Sequence, residues 1–505
     1  MKFLDPRFEG RNLMPLHVMS YDSFELGARD AIAILFKDMT TGQKYVQTIE
    51  HPKYEVWVLK REYWARALQM AAGDCVLEPW EEKANCECFH ISYHNREKEM
   101  ARILGCEPAD VKYSPLIFGY DIDVEHFYWM HFLIEYGNDI PKKVSVGLFD
   151  IESDIIQITG KAAAPGSCPT SAITFIDVDH LEVYTFVNTK DGLPVYAETH
   201  PNYAQIQKVR DNFYEQVDHF QANLDKFIDE LHSDFDDSYG VFKYHILCFD
   251  DEIRMHQAFW QIARASNIDI LEAWNLPYDA RNLIERPLVL GFEPESIICD
   301  SDYKYKMAYF EEDDNIQAHK RNHKCVISVK FLMLCQMWMY AGLRVAEGRQ
   351  SLKLTSVGKK EVKDEKLDYS EDGSIRTIRY RNFWKFIKYN IKDVLLQYGI
   401  LRATDDALEI YDRCYDACIP LPQAFVSTNL VTYAMMKYFY EQGYVCGTNG
   451  NKFLPTFDYR QFFAADDATD NMRSVEEMLM DAESFDPDDI FVSDEDMEDS
   501  GYGDD

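Results

Sequence analysis

Apolar residues along the chain fall into short runs of two kinds. In the first 140 residues, "DAIAILFKD", "KYVQTIE" and "KYEVWVLK" concentrate apolar and β-branched positions over strand-like lengths, while "REYWARALQMAA" has helical spacing. "DMTTG", Asp38 to Gly42, supplies a turn between the first two strands. From about residue 144 the texture changes. "VSVGLFDIES" reads as a strand, and "SAITFIDVD" and "LEVYTFVN" as a hairpin turning at "DH". "YHILCFDDEIRMHQAFWQIARAS" reads as a strand running into an amphipathic helix. "IDILEAWN" is a further strand, followed by a loop and the helix "ARNLIERPLVL". "NFWKFIKYNIKDVLLQYGI" predicts a strong helix over 382–400, and "RATDDALEIYDRCYDA" a second. "STNLVTYAMMKYFYEQGY" is a last helix, stopped by Gly443. Strands followed by helices predict an α/β fold, a mixed sheet with helices packed on it, behind a small mixed α/β domain. No internal repeat is present.

One strand carries residues that burial alone does not explain. In "VGLFDIESDI" Asp150 and Glu152 stand two apart in an otherwise apolar run. Side chains at i and i+2 of a strand share a face, so two carboxylates project together from a buried element. Repulsion and desolvation make that costly unless a cation lies between them. "WNLPYD" places Asn275 and Asp279 in the loop after a strand, and "YNIKD" places Tyr389 and Asp393 one turn apart on a helix. Asp150, Glu152, Asp279 and Asp393 are therefore expected to converge at one end of the sheet. Four carboxylates suit two hard divalent cations, Mg²⁺ or Mn²⁺. Such a pair activates water and stabilises a leaving oxygen in phosphodiester cleavage. A phenol beside the water orients it without a shifted pKa.

Charge and composition narrow the partners. The 505 residues carry a net charge of −35, which argues against broad nonspecific duplex binding. From Asp466 to Asp505 there are 17 acidic residues against Arg473, so close to half of the charge lies in a tail that reads as disordered. A local strand-binding groove remains compatible with the rest. The 12 cysteines form no even framework, as expected of reduced thiols in a cytoplasmic setting. "MKFLDPRFEGRNL" is followed by no apolar signal-peptide core, and no window is apolar for long enough to predict a membrane span.

"FDIE", "NLPYD" and "YNIKD" resemble, in order, the three exonuclease motifs of family B DNA polymerases, DxE, Nx(2–3)(F/Y)D and Yx(3)D. "SAITFIDVDHLEVYTFVN", "ILCFDDEIRMHQAFW", "LKLTSVGKKEV" and "FIKYNIKDVLLQ" resemble the flanking text of the proofreading domain of tailed-phage replicative polymerases. The resemblance covers about 144 to 455 well and the first 140 residues more loosely. It implies an RNase H-like 3′→5′ exonuclease of the DEDDy type; Lys388 stands where the other subtype has histidine. On this resemblance Asp150, Glu152 and Asp393 hold one metal, and Asp150 and Asp279 the second. Tyr389 orients the water and Asn275 contacts the primer strand. The segment from Asp300 to Lys324, with "YKYKMAYF" and "HKRNHK", lies where the family carries a strand-separating hairpin, and its aromatic and basic interleaving suits single strands. One departure is "VISVKFLMLC", where Lys330 replaces an expected acidic residue.

The palm and fingers motifs of the family, DxxSLYP, NSxYG and DTD, do not occur. The expected organisation is an N-terminal domain over 1–140 and an exonuclease domain over 141–405. A helical segment leading toward a palm follows over 406–465, and the acidic tail occupies 466–505. The expected partners are the 3′ end of a single-stranded DNA primer, a separate polymerase chain with palm, fingers and thumb, and other replisome proteins. An autonomous single-strand exonuclease and an inactive replication scaffold are the alternatives, and four neighbouring carboxylates argue against the scaffold.

Other motifs have plainer readings. "NCECFHISYH" offers Cys86, Cys88, His90 and His94, but no second cysteine pair matches, and strand alternation explains the spacing better than zinc. "YDID" at Tyr120 to Asp123 reads as a solvated turn, Cys414 and Cys418 as packing residues, and the terminal "YGDD" as chance.

Overall fold

The computed structural model describes residues 3–21, 30–72, 80–136, 143–156, 164, 166–311, 324–344, 351–421, 424 and 427–446. The acidic tail, "FLPTFDYRQFF" and most of "HKRNHK" lie outside the described residues. The chain divides into two units. The first draws on Met1–Ile34, Gln47–Asp139 and Arg413–Asp499, the second on Leu35–Val46 and Ile140–Asp412. No helix of the described residues is long and apolar enough to cross a membrane.

Strands β1 (Leu13–Tyr21), β2 (Ala31–Asp38) and β3 (Lys44–Glu50) form one small sheet. In the first unit β4 (Lys53–Leu59), β6 (Cys86–Ser92) and β7 (Ile117–Phe118) form a second, with β4 in the centre; β5 (Trp80–Glu82) lies between β4 and β6 in sequence. The helix Val124–Tyr136 is apolar nearly all round and buried along most of its length, as expected of a core helix.

The second unit is built on a six-stranded mixed sheet. Its strands are β8 (Val146–Ser153), β9 (Thr170–Asp177), β10 (Glu182–Asn188), β11 (Lys243–Phe249) and β12 (Ile270–Ala273). A short antiparallel ribbon, β13 (Ala308–Glu311) with β14 (Lys324–Ile327), precedes the sixth strand, β15 (Leu332–Cys335). The order is β11-β10-β9-β8-β12-β15. β9 is antiparallel to both β8 and β10, while β12 is parallel to β8 and to β15. The last strand, β16 (Tyr444–Cys446), returns to the first unit and pairs with β5.

Helices cover both faces of the large sheet, so its central strands are apolar on both sides. On β8, Val146 and Leu148 join a core with Phe213, Phe220, Phe227 and Phe386. These come from the helices Tyr203–Ala222, Leu224–Tyr239 and Phe383–Thr404. The alternate residues Phe149 and Ile151 join Phe259, Trp260 and Leu283 on the other face, from Glu252–Ala265 and Leu276–Val289. Each such side chain contributes about 1.5–3 kcal/mol by leaving water. Truncating the fully buried Trp260 to Ala should cost about 3–5 kcal/mol.

One expectation is corrected here. "NLPYD" is not loop: the helix starts at Leu276, with Pro277 in its first turn, where the missing N–H breaks no bond. Asp279 is therefore fixed on a helix rather than on a loop. The helices Tyr203–Ala222 and Leu224–Tyr239 were not anticipated; both are charged on their outer faces and bury a sparse row of aromatics. At the departure from the family pattern, Lys330 forms an ion pair with Asp302, and its backbone N–H donates to Asp300 at 2.9 Å.

Candidate metal centre

The alternation of β8 carries Asp150 and Glu152 onto the face that Val146 and Leu148 begin, toward the helix Phe383–Thr404. That helix presents Tyr389 and Asp393, one turn apart, from its buried side. One oxygen from each of Asp150, Glu152 and Asp393 lies within 4.8 Å of the others, and these three residues form a group able to hold a metal ion. β12 runs parallel beside β8, with Ala273 opposite Phe149. The first helical turn after β12 thus arrives beside Asp150 and Glu152 and brings Asp279. Both of those carboxylates oppose the ionisation of Asp279, and a backbone hydrogen bond from Ile151 favours it.

The electrostatics are those of crowded acids. Burial, followed by the charge of Asp393, raises Asp150 to about 7. Glu152 and Asp279 are held well above the ordinary carboxylate range, first by burial and then by their carboxylate neighbours. Burial also raises Asp393, against the pull of Lys366. Oδ1 of Asp393 is buried with no hydrogen-bond partner among the described residues. Hard oxygen donors that repel one another, one of them unpartnered, fit a divalent cation.

Three further residues shape the centre. Lys366 donates to Asp393 Oδ2 at 2.9 Å and to the Tyr389 hydroxyl at 3.1 Å. Burial works to lower its pKa, but Asp393, Tyr389 and Asp150 outweigh it and hold the ammonium charged. Asn390 Nδ2 donates to Asp150 Oδ2 at 2.9 Å, while its Oδ1 accepts from Thr174 Oγ1 at 2.6 Å. A fully buried threonine on β9 therefore orients Asn390, which in turn fixes the Asp150 carboxylate. Tyr389 is 3 % exposed, its hydroxyl held protonated by burial and by Asp393. The Tyr369 ring meets it edge-on at 5.3 Å.

Asn275 stands apart from this group. It occupies the position just before the helix Leu276–Val289, is exposed, and makes no capping bond with its side chain. Its carbonyl accepts from Tyr278 and Asp279 at 3.0 and 3.2 Å. Asp154, only two residues beyond Glu152, does not join either. It is buried against Arg379 and the Tyr380 hydroxyl. Gly192 packs on it so closely that a Cβ there would lie 2.5 Å from Asp154 Oδ2.

Sequence reasoning thus located the carboxylates and Tyr389 but missed Lys366 and Asn390. Asn390 lies inside "YNIKD", and its place next to Tyr389 on a helix buried on most sides was a usable signal. Lys366, in "VKDEKLDYS", sits outside regular structure, and nothing in its local pattern marks it. No protein-family model matches the chain, and no curated protein matches it either.

Proposed function

We propose that the chain is a metal-dependent 3′→5′ exonuclease that hydrolyses the terminal phosphodiester of a DNA strand, in the service of replication. The observation that carries this reading is the convergence of Asp150, Glu152 and Asp393 within 4.8 Å, with Asp279 close enough to feel the charges of Asp150 and Glu152. A mixed sheet, with acids on β8, in the first turn of the helix after its parallel neighbour β12 and on one covering helix, supports an RNase H-like, DEDDy-type assignment.

Asp150, Glu152 and Asp393 would hold one divalent ion, Mg²⁺ or Mn²⁺, and Asp150 with Asp279 a second. Such ions, when bound, activate water and stabilise the leaving 3′ oxygen. The remaining steps belong to side chains. Tyr389, protonated and held at its oxygen by Lys366, would orient the attacking water through its hydroxyl. Lys366 favours the ionised form of Asp393 against its burial, and Asn390 fixes the direction of Asp150. Asn275, exposed just before its helix, would contact the strand.

The resemblance to family B polymerases adds a partner of proofreading: a separate polymerase chain with palm, fingers and thumb, and through it other replisome proteins. The test of the activity uses 5′-labelled single-stranded DNA with Mg²⁺. A ladder of products shortened stepwise from the 3′ end is expected, and none with a chelator. Uncut DNA, or cleavage only at internal positions, would remove the reading. Co-purification with a palm-bearing chain, followed by extension of a mismatched primer, tests the partner.

A further inference from the structure

The first unit holds a second cluster of ligand-type side chains, of different chemistry. On the antiparallel pair β4–β6, Glu55 stands opposite His90 and Trp57 opposite Cys88. Opposite residues of such a pair share a face, so Glu55, Cys88 and His90 project together. One donor atom from each lies within 4.8 Å of the others. Glu55 Oε1 and His90 Nε2 are already 3.8 Å apart. Two ligands of a tetrahedral zinc ion at about 2.1 Å stand roughly 3.4 Å apart, so only a small adjustment is needed.

The surroundings are ordered as a ligand shell is. Tyr440 donates its hydroxyl to Glu55 Oε2 at 3.0 Å, which leaves Oε1 facing the imidazole. Lys83, the nearby cation, is engaged elsewhere: its ammonium donates to the Tyr440 carbonyl at 2.9 Å and lies 3.1 Å from the centre of that ring. His131 lies nearby: it is 4 % exposed, close enough to feel the charges of Glu55, Lys83 and His90, and its Nε2 has no hydrogen-bond partner among the described residues.

We infer that Glu55, Cys88 and His90 form a binding site for a thiophilic divalent cation of the zinc class. Sulfur, nitrogen and oxygen donors in one set favour Zn²⁺ and its neighbours over Mg²⁺ or Ca²⁺. The site clips the centre of β4 to β6, and Tyr440 ties it to the helix Ser427–Glu441. The C-x-H spacing within β6 lacked a matching pair in sequence because the third ligand comes from the neighbouring strand, with no motif to announce it.

Cobalt(II) titration of the full-length protein tests the site, because a thiolate ligand gives a charge-transfer band in the near ultraviolet and a carboxylate centre gives none. One equivalent is expected to develop the band. Zinc should abolish it and excess Mg²⁺ should leave it. Cys88→Ser should remove it, and His90→Ala should weaken binding at least about ten-fold. Glu55→Gln, which preserves shape, should weaken binding as well, and it decides the matter if the other variants do not fold. The absence of the band in folded wild-type protein, its survival in Cys88→Ser, or unchanged affinity in Glu55→Gln would overturn the assignment.

Discussion

The ammonium of Lys366 lies 2.9 Å from Asp393 Oδ2, while Oδ1 of the same carboxylate is buried without a hydrogen-bond partner among the described residues. One oxygen is neutralised by the protein and the other is left over. Lys366 also opposes the burial that raises the pKa of Asp393. Lys366→Met should therefore raise that pKa, move the acid limb of the rate–pH profile to higher pH, and lower kcat by roughly 10–100-fold. An unchanged profile would show that Lys366 only packs.

Tyr389→Phe separates water orientation from metal holding. The rate should fall, because the hydroxyl is lost. Mg²⁺ should still raise the melting temperature as in wild type, because all four carboxylates remain. An ion present at 100 times its Kd stabilises by about 2.7 kcal/mol, enough to read in a melting curve. A Tyr389→Phe protein that loses this shift would assign Tyr389 to the metal instead.

The carboxylate centre was legible because its spacing is local: two residues apart on β8, four apart on a helix. The same holds for most strands, whose β-branched runs are bounded by turns. What escaped had a non-local cause. Asp154 looks like Glu152 in sequence, yet Arg379 claims it from 225 residues away. "NLPYD" contains a proline and reads as loop, yet proline is at home in a first helical turn. Glu272 appears as an ordinary polar position in "ILEA", but both flanking strands of the sheet and the helices on it bury the side chain completely.

Glu272 gives a pH prediction independent of metal. Both its oxygens are buried without hydrogen-bond partners among the described residues, and burial, then the charge of Asp406, holds its pKa well above the ordinary value. A raised carboxyl pKa means that the folded state binds more protons than the unfolded one. Its contribution is fully present below the unfolded pKa, about 4.3, and is lost as pH rises toward the folded value. Glu272→Gln should thus gain on wild type in urea denaturation as pH rises from about 5 to 8. A constant difference over that range would show that Glu272 is ionised and paired.

Arg379 pairs with the buried Asp154, which lies outside the group of Asp150, Glu152 and Asp393. Its guanidinium also donates to the Asn188 and Lys190 carbonyls, at 2.8 and 2.6 Å. Arg379→Ala leaves Asp154 charged and uncompensated, which should cost about 3–5 kcal/mol by chemical denaturation. Below its melting temperature the variant should retain nuclease activity. A stable but inactive Arg379→Ala protein would place Asp154 in the centre after all.

The central claim is that the acids on β8 hold the metal that permits hydrolysis of a DNA 3′ end. Its most direct test is single-turnover digestion of a 5′-labelled single-stranded oligonucleotide with Mg²⁺, wild type against Asp150→Ala with Glu152→Ala. The double variant removes mutually repelling charges, so it should fold and melt no lower than metal-free wild type. Digestion by wild type and none by the folded double variant is the predicted result; equal digestion by both would contradict the account.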